Sequence, residues 1–180
     1  MEEKPDLEIN VGSAFGTGSH PTTALCLELI ERYLEEGDTV LDVGTGAGIL
    51  MIAAVKIGAG TVIGIDNNNA AVEIARKNVL LAKIPRKRFA VRAGNLLAGV
   101  EDQFDIVVAN LLPEILTILV DDVSRVLKKG GIFICAGMLE GNTHRVAYKI
   151  QTRGLKIIET RTKNKWVALA GRRMDRPGPR

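Results

Sequence analysis

A chain of 180 residues, 46% apolar and 25% charged, has material for one well-buried domain and too little for two. Its net charge of +3 is small and dispersed, and the arginines gathered at the end (Arg172, Arg173, Arg176, Arg180) read as a solvated tail rather than a nucleic-acid arm. Cys26 and Cys135 lack CxxC partners, no run approaches the roughly 18 apolar residues of a membrane span, and the charged start Met1–Pro5 is unlike a signal sequence; zinc, membrane and export are set aside, and a cytoplasmic location is expected.

In chain order, Ala24, Leu25, Leu27, Leu29, Ile30 and Leu34 recur at helical spacing and predict an amphipathic helix over 22–33, ended by Gly37 and Asp38. TVLDV (39–43) reads as a short buried strand, followed by the turn GTGAG and a helix over 49–57. TVIGID (61–66) is a second strand. Residues 69–82 form a helix capped by Asn67 or Asn68. RFAVRAG (88–94) and FDIVVAN (104–110) are strands three and four. Pro113 opens a helix that runs to about Leu127, where KKGG is a stop signal. IFICAG (132–137) is the fifth strand and 142–153 a further helix. LKIIETR and KWVALAG, joined by a Thr-Lys-Asn turn, close the chain as a β-hairpin.

Aliphatic strands alternating with helices predict an α/β fold: a doubly wound, mainly parallel seven-stranded sheet with an antiparallel terminal hairpin. The domain is expected over residues 1–171, with 172–180 a disordered basic tail.

In such sheets ligands bind at the carboxyl ends of the strands, where the strand order reverses. The first strand runs into DVGTGAG, Asp42 to Gly48, whose glycines let a ligand lie against bare backbone. The second ends in Asp66, a carboxylate placed for the two hydroxyls of a ribose. The dinucleotide fingerprint needs a small residue at position 49, which is Ile49; the glycines fall at 44, 46 and 48 instead. With Asp42 and Asp66, that spacing resembles class I S-adenosylmethionine-dependent methyltransferases. Asp42 either holds the donor's amino group through water or braces the loop. Asn95, after the third strand, either faces the adenine or forms a turn.

The fourth strand ends in ANLLP (109–113), similar to the N-P-P-Y motif of methyltransferases that modify nitrogens. There the amide oxygen accepts a hydrogen bond from the target nitrogen, which makes Asn110 the candidate catalytic residue; as an N-cap it would be structural. Two leucines and Pro113 replace the motif's aromatic, which favours a flexible amine over a planar base. His20 is either a substrate contact or a loop-fixing residue, and His144 a surface residue.

The stretch AFGTGSHPTTALCLELI (14–30) is too long a preamble for a helix alone. It reads as a lid over the methyl donor, with Phe15, Gly16 and Thr17 against the ligand, Pro21 starting the helix, and Thr22 and Thr23 offering hydroxyls from its first turn.

Taken together, AFGTGSHPTT, LDVGTGAGIL, GID and VVANLL, in this order and spacing over about Val11 to Gly171, resemble the PrmA methyltransferases, which modify the eleventh protein of the large ribosomal subunit. The resemblance implies successive methylation of lysine side chains and an N-terminal α-amine, with S-adenosyl-L-methionine as donor and a ribosomal protein as partner. It puts donor contacts on Thr23, Gly44, Asp66 and Asn110, to which the glycine loop adds Gly46; the weak basic charge and the missing aromatic beside Asn110 argue against direct nucleic-acid binding. Thr45 stands where many members have cysteine, and few residues here precede the first motif, where the family has a substrate-gripping domain. The chain is therefore expected to be an isolated catalytic domain, a relative with another substrate such as a small molecule, or a cofactor-binding domain inactive without a presenting domain.

Overall fold

The computed structural model describes residues 20–174. In chain order these form α1 (Pro21–Tyr33), β1 (Thr39–Val43), α2 (Ile49–Ile57), β2 (Thr61–Asp66), α3 (Asn69–Leu81), β3 (Phe89–Ala93), β4 (Phe104–Asn110), α4 (Pro113–Val126), β5 (Leu127–Leu139), α5 (Thr143–Thr152), β6 (Leu155–Lys163) and β7 (Trp166–Arg173). One seven-stranded sheet has the order β3-β2-β1-β4-β5-β7-β6. β1 to β5 are parallel; β7 runs antiparallel between β5 and β6. The order reverses between β1 and β4, so the carboxyl ends of those strands form the switch point.

Both faces are covered, which explains the unbroken aliphatic strands. Val40, Ile106, Val108 and Ile134 face α1, α2 and α3; their alternates Leu41, Val107, Phe133 and Cys135 face α4 and α5. α2 is apolar all round, and Ile49 to Val55 are all buried. Asn68 caps α3 by accepting from Ala70 N at 2.9 Å.

Two expectations are corrected at the far end of the chain. β5 starts at Leu127, not Ile132, so the KKGG that follows the end of α4 lies inside the strand. Leu127 is fully buried opposite Phe104, and the Lys128 ammonium sits 2.7 Å from the Asp105 carboxylate, which draws the segment onto the sheet. Gly130, at φ +74°, makes the bend. β7 continues through Arg173, two residues past the end of the expected strand KWVALAG at Gly171, because Arg172 pairs with both Ile132 and Lys156. The hairpin turn is Asn164–Lys165, both at positive φ, the two-residue geometry whose twist matches the strands.

Candidate functional site

The glycine loop leaves β1 and bends under β2. Gly44 N and Thr45 N both donate to Ile65 O, at 2.8 and 3.0 Å, and Gly44, Gly46 and Gly48 all have positive φ. Gly44 is also sterically closed: a Cβ there would come within 2.5 Å of Leu111 Cδ2. Behind the loop, the buried Asn78 of α3 donates to Ala47 O at 2.9 Å. Neither Asn78 nor Leu111 stands out in the sequence; an asparagine inside an amphipathic helix carries no signal of its partner.

Asp66 ends β2 half-buried. Its two oxygens accept from Gly46 N and Asn68 N, both at 2.9 Å. Each oxygen keeps a further lone pair, so the carboxylate is oriented by the backbone and still able to take a hydroxyl pair. Asp42 is 1% exposed and accepts from Thr45 Oγ1 at 2.7 Å. Burial pushes its carboxyl up to about 7, against the lowering effect of the Thr45 hydrogen bond and with a smaller push from Asp66. Of the two roles open to Asp42, the geometry shows bracing of the loop through Thr45.

Asn110 ends β4 beside this loop. Its amide Nδ2 donates to Thr23 Oγ1 at 3.4 Å, bringing together α1 and the end of β4. Thr23 is buried and Asn110 half-buried. With Nδ2 turned to Thr23, the carbonyl Oδ1 is the group left to accept an N–H. Asn110 does not cap α4: the N-cap is Leu112, and no side chain caps that helix.

His20 takes the loop-fixing role. It is the N-cap of α1, accepting from Thr22 N at 3.3 Å, with its Nδ1 2.8 Å from Thr22 Oγ1 and its ring edge-on to Trp166 at 4.8 Å. Thr22 is therefore committed to the cap, and Thr23 is the hydroxyl turned to the site. Asn95 lies exposed in the bend after β3, where its backbone carbonyl accepts from Ala98 N. Phe15, Gly16 and Thr17 lie outside the described residues.

The site fits an adenosine-type donor on three counts. Gly44, Gly46 and Gly48 turn the loop at positive φ with no side chains of their own, the N-cap of α2 is Gly48 with no side-chain cap, and Asp66 keeps lone pairs open at the adjoining strand end. No group of three or more metal-ligating side chains occurs among the described residues. No described helix is long and apolar enough to cross a membrane. Both thiols are buried, and burial raises Cys26 and pushes Cys135 up to about 12, so neither is a nucleophile.

The chain and its fold match known proteins. The family described as Ribosomal protein L11 methyltransferase (PrmA) matches residues 1–174. The ribosomal protein L11 methyltransferase of Desulfosudis oleivorans is 47% identical over 93% of this chain and 56% of its own length. That of Dictyoglomus thermophilum is 44% identical over 97% of this chain and 57% of its own. The crystal structure of the ribosomal protein L11 methylase from Lactobacillus delbrueckii subsp. bulgaricus superposes with a TM-score of 0.87 at 34% identity, covering 93% of this chain and 84% of that one. A putative methyltransferase complexed with SAH shares the fold alone, at 10% identity and a TM-score of 0.72 over 86% of this chain and 50% of that one. The chain spans about half the length of the curated relatives it matches.

Proposed function

The chain belongs to the PrmA family of ribosomal protein L11 methyltransferases, and from that premise we propose that it is a cytoplasmic S-adenosylmethionine-dependent N-methyltransferase domain acting on amines of that ribosomal protein. The observation that carries the reading is the juxtaposition of the Asn110 amide, the Thr23 hydroxyl and the glycine loop at the switch point. The acceptors are lysine side chains and the N-terminal α-amine, as the family resemblance implies.

Bound S-adenosylmethionine supplies a methyl group activated by a sulfonium. The loop from Gly44 to Gly48 holds the donor's backbone-facing side, and Asp66 takes the ribose hydroxyls through charged hydrogen bonds. Asn110 Oδ1 accepts an N–H of the incoming amine and so fixes the direction of its lone pair. Positioning of this kind supplies much of the rate in a two-partner displacement.

The amine must be neutral to react. At pH 7 deprotonation costs roughly 4–5 kcal/mol for a lysine of pKa about 10.4 and about 1 kcal/mol for an α-amine of pKa about 8. A buried site beside a sulfonium lowers that cost by disfavouring a second cation. His20 is held in the cap, which leaves the proton to solvent.

The test is incubation of the chain with methyl-labelled donor and purified ribosomal protein L11, read by mass spectrometry of the acceptor. Methyl groups on lysine or the α-amine are the expected result. Donor binding without transfer would favour a second reading, grounded in the chain's half-length match: a donor-binding domain that needs a separate module to present the acceptor.

A further inference from the structure

α1 carries Thr23 at one end; its apolar face is buried in the core, and its polar side chains meet the terminal hairpin. The contacts form a line along the helix. At the amino end the Trp166 ring meets the His20 cap edge-on. In the middle Glu28 Oε2 receives Arg161 Nη1 at 2.8 Å, with Lys163 Nζ at 3.9 Å from the other oxygen. At the carboxyl end Glu159 accepts from Arg32 Nε at 2.9 Å and from the Tyr33 hydroxyl at 2.5 Å. Arg161 Nε also donates to Glu159 at 2.7 Å, so one arginine and one glutamate of β6 together hold three side chains of α1, Glu28, Arg32 and Tyr33. Glu159, Arg161 and Lys163 alternate along β6 and so share one face, the face α1 lies against. α1 thus runs antiparallel to β6, with its first turn at the hairpin turn and its last turn at mid-strand.

We propose that Glu159 and Arg161 are positioning residues for the donor site, setting where α1 lies along the sheet and thereby the meeting of Thr23 with Asn110. A lone exposed ion pair would do little. Here Glu159 and Arg161 are only 20% and 30% exposed; Glu159 accepts from Arg32, Tyr33 and Arg161, and Arg161 donates to Glu28 as well as to Glu159. A shift of α1 along its axis would break the short pairs together, so the network favours one register over its neighbours. The Asn110–Thr23 contact, at 3.4 Å, has no slack for such a shift.

The inference rests on the donor-site reading above, and its test separates the two. Trp166 is the chain's single tryptophan, and its contact with His20 makes its emission a reporter of α1 that requires no donor. Glu159→Gln and Arg161→Met should shift that emission to the red and weaken SAH, measured by calorimetry, about fivefold, with Arg161→Lys restoring much of the affinity. In a Thr23→Ala background Arg161→Met should cost nothing further, because the network acts through Thr23. Full additivity there, or a shifted emission with unchanged affinity, would make the network merely structural and overturn the proposal. If the wild-type chain bound no SAH, the donor reading would fall instead, and an unshifted emission would still overturn the seating of α1.

Discussion

Asn110 Nδ2 and Thr23 Oγ1 lie 3.4 Å apart, which ties the end of β4 to the first turn of α1 across 87 positions of sequence. The bond orients the amide so that Oδ1 is left for an acceptor. Asn110→Ala is therefore expected to lower transfer at least 100-fold, as loss of a positioning group in a displacement does, with a much smaller change in donor affinity. Single-turnover rates beside SAH calorimetry separate the two effects; an equal loss in both would make Asn110 a donor ligand only.

Asp66 is presented by two backbone N–H groups, so its carboxylate is oriented before any ligand arrives. Asp66→Ala should weaken SAH binding by about 1–3 kcal/mol, the range for hydrogen bonds to a charged group. Calorimetry checks this, and NAD should show no binding because Ile49 occupies the position where a dinucleotide loop needs a small residue. Unchanged SAH affinity would put the ribose elsewhere.

Gly44 combines a φ of +74° with contact against Leu111. Gly44→Ala should destabilise the fold by about 1–3 kcal/mol, part backbone strain and part overlap with Leu111 Cδ2. The double variant with Leu111→Ala should fail to recover the backbone part. Denaturant melts of the two variants make the comparison, and full recovery would show that the left-handed conformation costs nothing there.

Asp42 has its folded pKa raised from its ordinary value to about 7, mainly by burial. For a raised carboxylate the folded state holds its proton to higher pH than the unfolded chain. The contribution of Asp42 to stability is therefore fully present below about pH 4 and is lost as pH rises towards 7. Asp42→Asn removes that titration and keeps an oxygen for Thr45. It should melt higher than wild type above pH 7, by an equivalent of about 4 kcal/mol, with the gap closing towards pH 4. A gap independent of pH would show that Asp42 is not titrating in this range.

The glycine spacing, the strand-end Asp66 and the Asn110 amide were legible in the sequence because each is local: a turn needs glycines, and a strand end is marked by its aliphatic run. The role of His20 was open in the sequence because Trp166, the ring it packs on, is 146 positions away. KKGG does stop α4, as its composition suggests, but its place in β5 was hidden for the same reason: only Asp105 and Phe104, on another strand, make these residues part of the sheet.

By itself, the sequence determined the α/β alternation, the switch-point loop and the class of ligand, since those follow from periodicities of two and 3.6 and from glycines that tolerate positive φ. The tertiary structure alone decided how the pieces meet: Thr23 rather than Thr22 at Asn110, Asn78 behind Ala47, Leu111 against Gly44, and α1 seated on the terminal hairpin. Those contacts join positions far apart in the chain, and a residue's type says what it can bond without saying which distant partner the packing will supply.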